Sequence, residues 1–158
     1  MRRTDREVTE RAEIEQILND SAILHLALFG EDFPYIVPMH YGYEMKNGMP
    51  VFYLHCAQEG RKLELLRKNS AACVEIENHV ETVTGGEVPC RYGAAYASVI
   101  AEGHVRILAS PGEKIRGLEL LMKHQTGRDF AFTEEMAAGV EVLEFTAETC
   151  TAKARKLG

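Results

Sequence analysis

The 158-residue sequence has no long hydrophobic run, no excess of basic residues and no closely spaced pair of cysteines. No stretch approaches the roughly 20 apolar residues of a membrane span, and the N-terminal segment MRRTDREVTERAEIEQ lacks the apolar centre of a signal peptide. A net charge of −6 argues against a nucleic-acid-binding protein, although it leaves room for a local basic pocket. We therefore expect a cytoplasmic protein with no nucleic-acid or membrane partner.

Several site motifs are also missing. The four cysteines form no C-x-x-C pair and the six histidines no H-x-x-x-H motif, so we expect free thiols in a reducing compartment and no metal site. The sequence contains no G-x-G-x-x-G fingerprint, no Walker loop and no G-x-S-x-G elbow. It therefore lacks the usual signs of a dinucleotide-fold dehydrogenase, an NTPase or an α/β-hydrolase.

Hydrophobic patterning predicts a single α+β domain, mainly β, over residues 1–158. About six strands with two or three helices between them favour an antiparallel barrel or closed sheet with helices at its ends. The predicted strands are Ser21–Phe29, Pro34–Met45, Met49–Cys56, Ala71–Glu77, Tyr96–Ala109 and Val140–Phe145. The predicted helices are Glu10–Asn19, Gly60–Lys68 and one that Ser110 opens, with a short helical turn at Thr133–Ala138. Residues His79–Arg91 are expected to form a long loop, and Lys153–Gly158 a frayed tail.

Turn and cap residues add local predictions. Asn47-Gly48 is a strong hairpin signal, Pro38 should lie in an edge strand or a bulge, and Gly103 should mark a bulge. Other predictions concern helix starts: an N-cap at Thr9, and a capping box formed by Ser110 and Glu113 around Pro111.

The segment Val51–Asn69 carries the strongest functional signal. A β-branched and aromatic run ends at His55-Cys56, a polar turn with Gly60 follows, and a helix opens on Arg61-Lys62. Helix starts usually carry acidic residues because the helix dipole is positive there, so two cations at this position favour a bound anion such as phosphate. Two side chains that simply extend into solvent would explain the pattern equally well.

Other candidate residues each have a structural alternative. Ser98 could donate its hydroxyl to the same anion or simply face outward from its strand. The segment from Pro38 to Tyr41 could bind the edge of a planar heterocycle through freed backbone groups, or be a bulged edge strand. His55 could act on a substrate near neutral pH, or be a satisfied core histidine. Cys56 cannot meet it as a nucleophile, because adjacent strand residues point to opposite faces.

Five segments, in order and at matching spacing, resemble a known family. They are MRRTDREVTERAEIEQIL, FPYIVPMHYGYE, VFYLHCAQEGRKLELLRKN, RYGAAYASVIAEGHVRIL and LMKHQTG. Together they resemble the nitroimidazole-resistance (Nim-type) branch of the pyridoxamine 5′-phosphate oxidase-like flavoproteins, over nearly the whole chain. The resemblance implies a six-stranded split β-barrel that binds flavin mononucleotide (FMN) at the interface of a homodimer, with contacts from both subunits.

The resemblance also implies residue roles. Arg61 and Lys62 would hold the phosphate, Ser98 would help to anchor the cofactor, and His55 would be the catalytic residue beside flavin and substrate. The full set of implied cofactor contacts is Pro38, Met39, His40, His55, Cys56, Ala57, Gly60, Arg61, Lys62 and Ser98.

Function follows from the same resemblance. We expect an FMN-dependent oxidoreductase that reduces small aromatic nitro compounds such as 5-nitroimidazoles, with NADH or NADPH as a possible donor. The chain stops soon after Cys150, without the segment with which pyridoxamine phosphate oxidases read their substrate, so vitamin B6 oxidation is not expected. Related barrels bind haem or a deazaflavin, so a non-catalytic haem- or flavin-binding protein is the alternative.

Overall fold

A computed structural model describes residues 4–155. Within these residues a mainly antiparallel sheet of eight strands curls into a half-barrel, accompanied by four α-helices. The strands are β1 (Glu7–Val8), β2 (Ile23–Leu28), β3 (Tyr35–His40), β4 (Gly42–Lys46), β5 (Met49–Cys56), β6 (Ala71–Val83), β7 (Gly93–Ile107) and β8 (Glu141–Arg155). The helices are α1 (Arg11–Asn19), α2 (Arg61–Lys68), α3 (Pro111–Thr126) and α4 (Glu134–Ala138). None of the helices in this part of the chain is long and apolar enough to cross a membrane.

The sheet runs in the order β3-β2-β6-β7-β8-β5-β4, and β1 pairs with β8. The predicted split barrel is thus confirmed in outline, but six strands is too few. The segment Pro34–Met45, predicted as one strand, forms β3 at one end of the sheet and β4 at the other. The break comes at Tyr41, whose buried hydroxyl donates a hydrogen bond to the carbonyl oxygen of Leu18 over 2.6 Å.

Strand alternation divides the side chains between a core and an outer face. Inward-facing residues of β2, β6 and β7, such as Leu24, Ile76 and Val99, are fully buried in the main core cluster. The alternate residues of β3, β2, β6 and β7 form an outer face, on which Ile23, Ile36 and Ile100 are exposed. Pro38 lies in β3, an edge strand, as its missing N–H predicted.

Two strands extend further than predicted. β6 continues to Val83 across a register shift between Asn78 and Glu81, so the predicted loop His79–Arg91 is shorter and ends in a 3-10 turn at Pro89–Arg91. β8 continues to Arg155, and Lys153 pairs with both Ser98 and Glu7. The predicted fraying therefore does not begin at Lys153, because two neighbouring strands supply backbone partners there; residues 156–158 lie outside the described residues.

The predicted hairpin turn and the predicted bulge are both present in the structure. Asn47 and Gly48 have φ values of 52° and 81° in the turn between β4 and β5, and the register of β7 and β8 shifts at Gly103, so the hairpin and the bulge are confirmed.

The cap predictions are less accurate. Helix α1 is preceded by Glu10 rather than Thr9, without a side-chain cap. Ser110 occupies the N-cap position of α3 but makes no side-chain cap. The Glu113 carboxylate instead pairs with Arg106 over 2.8 Å, which lowers the pKa of Glu113 together with a backbone hydrogen bond from Ser110. The reciprocal capping box is therefore only half formed.

Candidate functional site

The start of helix α2 lies on the surface directly after β5. Gly60 is its N-cap residue with a φ of 134°, a backbone conformation that side chains rarely adopt, and a Cβ there would meet open space. Leu63, Leu65 and Leu66 are buried and hold the helix against the core. The first turn consequently presents its free backbone N–H groups at the surface, and the Arg61 and Lys62 side chains extend from it.

The two neighbouring cations contact different parts of the chain. The Arg61 guanidinium stacks over the ring of Tyr35, 5.2 Å from its centroid, at the start of β3. The Lys62 ammonium lies 3.6 Å from the sulfur of Met39, near the other end of β3. The cations therefore flank the length of this edge strand, and of the predicted cofactor residues Met39 and Lys62 are in direct contact.

His55 completes a basic cluster at the end of β5. Partial burial of its ring lowers the pKa of His55, and the positive charges of His40 and Lys62 lower the pKa further. The imidazole is thus biased toward its neutral form, in which one ring nitrogen can donate and the other accept a hydrogen bond. His55 is exposed at the surface, so the alternative of a buried core histidine does not apply.

Cys56 has a different environment from its neighbour. Burial raises the pKa of the Cys56 thiol; the Lys62 charge acts in the opposite direction and the Glu141 charge adds to the rise. A protonated thiol is a poor nucleophile, which agrees with the expectation that Cys56 does not act as a nucleophile with His55.

The remaining predicted residues lie around this cluster or beyond it. Pro38 and His40 are exposed on the outer face of β3, and Ala57 is exposed in the turn before α2. Ser98 is half-buried on the same outer face, but β2 and β6 lie between its strand β7 and β3. Three strand spacings correspond to about 14 Å across the sheet. Within one chain, Ser98 therefore does not join Arg61 and Lys62.

Sequence reasoning missed Tyr35 as a component of the cluster. Its ring positions Arg61, and the nearby Glu31 carboxylate forms an ion pair with Lys68 over 2.6 Å. No local pattern links Tyr35 to Arg61, because the contact depends on how α2 packs beside β3. Cavities of about 330, 510 and 500 Å³ lie elsewhere, and His55, Arg61 and Lys62 line none of them. The cluster is accordingly an open surface site in the single chain.

Solved structures with the same architecture include several cofactor-binding proteins. A candidate 5-nitroimidazole antibiotic resistance protein from Bacteroides thetaiotaomicron is 26% identical, with a TM-score of 0.79 over 93% of this chain and 85% of its own. An FAD- and haem-binding protein from Mycobacterium smegmatis is 18% identical, with a TM-score of 0.79 over 96% of this chain and 74% of its own. A flavocytochrome from Azotobacter vinelandii is 14% identical, with a TM-score of 0.78 over 99% of this chain and 72% of its own. The last two similarities concern the fold alone.

Family comparison covers almost the whole chain. No curated protein matches the sequence significantly. The family model described as pyridoxamine 5′-phosphate oxidase matches residues 10–154, which includes every predicted site residue. The chain therefore belongs to the pyridoxamine 5′-phosphate oxidase family.

Proposed function

We propose that this chain is an FMN-dependent reductase of small aromatic nitro compounds, of the nitroimidazole-resistance type, and that it works as a homodimer. The observation that carries the proposal is the basic cluster formed by Arg61, Lys62, His40 and His55 along the open edge of β3. The 26% identity with the Bacteroides protein supports the choice of nitroimidazoles as acceptors.

The residues at the start of α2 fit a phosphate group. The helix dipole and the unpaired N–H groups of the first turn attract an anion, and Gly60 leaves the approach open. Arg61 and Lys62 add two charge-assisted donors, and the described part of the chain gives neither of them a carboxylate partner in an ion pair. This arrangement supports the phosphate of FMN at this point.

The open edge of β3 fits the ring end of the same cofactor. Edge-strand backbone groups that no neighbouring strand pairs can hydrogen-bond a planar heterocycle, and Pro38 limits the donors there to the other residues. Bound flavin would supply hydride or electron transfer to the acceptor. The neutral His55 imidazole would orient the acceptor through a hydrogen bond and hold a proton near it.

The outer face supports a homodimer through its own charge distribution. On β2 and β3 its basic side chains are His25 and His40, whereas residues 71–77 of β6 and 96–102 of β7 contribute the carboxylates Glu75, Glu77 and Glu102. Consider a two-fold axis that is parallel to the strands and lies over the outer face, above the boundary between β2 and β6. Such an axis would place the basic half of one copy over the acidic half of the other. Such a self-complementary patch is what an isologous interface requires.

The same symmetry gives Ser98 a role. His40 pairs with Ile23 on β2, and Glu77 of β6 pairs with Ser98. His25 pairs with Glu75, and continuing that register by two residues places Ile23 opposite Glu77. His40 and Ser98 therefore lie in one row across the sheet. The proposed axis would bring β7 of one copy over β3 of the other, so Ser98 of the partner subunit would approach the His40 end of the site. A residue that lies three strands away within one chain could thus complete the cofactor site in the dimer.

Removal of the two cations tests the cofactor site. FMN is titrated into the flavin-free wild type and into the flavin-free double variant Arg61→Ala/Lys62→Ala. The variant should bind FMN at least roughly 100-fold more weakly than the wild type, since each charge-assisted hydrogen bond contributes about 1.5–3 kcal/mol. The matched control, Arg67→Ala/Lys68→Ala, removes two cations at the other end of the same helix and should keep wild-type affinity. Equal affinity of the site variant and the wild type would refute the assignment.

The chemistry requires a separate test. The wild type loaded with FMN should reduce a 5-nitroimidazole with NADH or NADPH under anaerobic conditions, and His55→Ala should keep FMN but lose most of that activity. Flavin retention without turnover of any nitro compound would contradict the reductase.

A non-catalytic haem- or flavin-binding protein is the second candidate, because two neighbours of the same fold bind haem or are flavocytochromes. A Soret band on adding haemin, with no retention of FMN, would favour it.

A further inference from the structure

A hydrogen-bonded histidine–carboxylate pair lies at the centre of the outer face. His25 on β2 and Glu75 on β6 are register partners, and His25 Nδ1 lies 3.1 Å from Glu75 Oε2. Their side chains are 39% and 36% exposed, so the pair is still hydrated in the single chain. Apolar residues surround it: Pro38 is the partner of His25 on β3, and Ile100 is the partner of Glu75 on β7.

Few other charges face this pair. On β3, His40 lies two residues beyond Pro38 and is the only ionisable side chain that this strand places on the outer face. On β6, Glu77 and the Cys73 thiol lie on either side of Glu75, and on β7 Glu102 and Ser98 lie on either side of Ile100. Along β2 itself, Ile23 and Ala27 flank His25. Glu75 therefore has one basic side chain in contact, and that side chain is a histidine.

We propose that the homodimer assembles through this face with the uptake of one proton at each His25, so that acidification tightens the dimer and the cofactor site at its edge. The inference rests on the dimer proposed above and deepens it. It names the group that regulates assembly and does not depend on which acceptor the flavin reduces.

The physical basis is the loss of water around Glu75. A carboxylate covered by a second copy loses its hydration, and a close positive charge is needed to offset that loss. An imidazolium at His25 supplies that charge, whereas a neutral imidazole supplies only a hydrogen bond. With the axis between β2 and β6, His25 of each copy also lies over the partner subunit's Glu75, so two imidazoliums and two carboxylates would form one neutral group.

The direction of the pH dependence follows from linkage. The dimer binds more protons than two separate chains, so its dissociation constant must rise as pH rises through the range near 6.5 in which histidines titrate. Two histidines per dimer limit the increase to about 100-fold per pH unit. We expect at least a tenfold increase in the dimer Kd between pH 6 and pH 8.

Sedimentation equilibrium of the flavin-free, full-length protein at several pH values is the test. His25→Gln/Glu75→Gln keeps a neutral hydrogen-bonded pair and should give a dimer Kd independent of pH. Glu75→Gln alone should form the tighter dimer at pH 8, since no carboxylate is then buried, and His25→Gln alone should form the weakest dimer at every pH. A His25 that merely packs in the interface would not produce these opposite effects.

His79→Gln is the matched control. His79 Nε2 lies 2.9 Å from Asp20 Oδ2, and this pair is not on the outer face. The substitution should therefore leave the wild-type pH dependence intact. A dimer whose Kd does not change with pH would overturn this inference and leave the FMN dimer standing. A chain that stays monomeric at every pH and concentration would overturn both the inference and the interface on which it rests.

Discussion

At the scale of single residues, His55 shows how a surface group gains a defined chemical state. Partial burial is the main cause that lowers the pKa of His55, and His40 and Lys62 are the charged contributors. The contribution of Lys62 is geometric, since its ammonium is held near the Met39 sulfur beside the end of β5. A cation placed there does two things: it attracts an anionic ligand and it disfavours a second positive charge on the histidine.

Lys62→Met should therefore raise the pKa of His55, because the substitution removes one positive neighbour and keeps an apolar stem of similar length. Proton NMR titration of the imidazole in the flavin-free protein measures this directly. Lys68→Met is the control: it removes a cation from the same helix that is paired with Glu31 instead, and it should leave the titration of His55 unchanged. A fall in the pKa of His55 in Lys62→Met would contradict the proposed electrostatic coupling.

Individual residue roles could be predicted only where the signal is local in sequence. The Gly60-Arg61-Lys62 helix start and the edge position of Pro38 were readable, because a helix dipole and a missing N–H act on the residues that carry them. The stacking of Arg61 on Tyr35 was not readable, since the two residues meet only after α2 has packed beside β3. The separation of Ser98 from this cluster likewise depends on the order of strands in the sheet.

At the scale of elements, α3 packs closely against β4, the strand at one end of the sheet. Gly42 opens β4 just after the Tyr41 break, and the backbone of Leu120 and Leu121 in α3 occupies the space where a Cβ would lie. An ion-pair network strengthens the same contact: Arg116 of α3 binds the Glu44 carboxylate over 2.6 Å. Burial raises the pKa of Glu44, but hydrogen bonds from Tyr53, Lys46 and Arg116 outweigh it and lower the pKa to about 2.

Gly42→Ala should destabilise the fold, because the new methyl group must push the α3 backbone away from β4. Overpacking of this kind costs about 1–3 kcal/mol, which a urea unfolding experiment resolves. Gly112→Ala is the matched control within the first turn of α3, where the nearest atom to a new Cβ is the Ser110 hydroxyl at 3.9 Å. The control should be neutral or slightly stabilising. A Gly42→Ala protein as stable as the wild type would mean that α3 packs less closely than described.

Element prediction failed where tertiary structure overrides a continuous pattern. Apolar alternation runs unbroken from Pro34 to Met45, yet the chain leaves one edge of the sheet and joins the other at Tyr41. The hydroxyl of Tyr41 bonds to Leu18, a partner that periodicity cannot identify. The extra length of β6 and β8 has a similar origin, since β7 and β1 provide backbone partners beyond the last apolar residue of each pattern.

At the scale of the whole molecule, the outer face connects the fold with the proposed function. It carries exposed isoleucines on β2, β3 and β7, a basic half next to the candidate site and an acidic half that contains Ser98. If this face is the dimer interface, cofactor affinity depends on residues that never touch the cofactor. That dependence separates a site completed by two chains from a site that one chain holds alone.

Ile100→Arg tests this dependence. Ile100 is 45% exposed on β7, well away from the basic cluster, and its register partner Glu75 gives a new guanidinium a counter-ion within the same chain, so the fold should survive. Covering that charge with a second copy would be costly, so the variant should be monomeric by sedimentation and bind FMN at least roughly tenfold more weakly. Met136→Arg replaces an apolar residue on α4 that is 60% exposed, and it should keep both the dimer and the affinity. A monomeric Ile100→Arg protein with wild-type FMN affinity would show that one chain suffices for the cofactor, and Ser98 of the partner subunit would then have no part in the site.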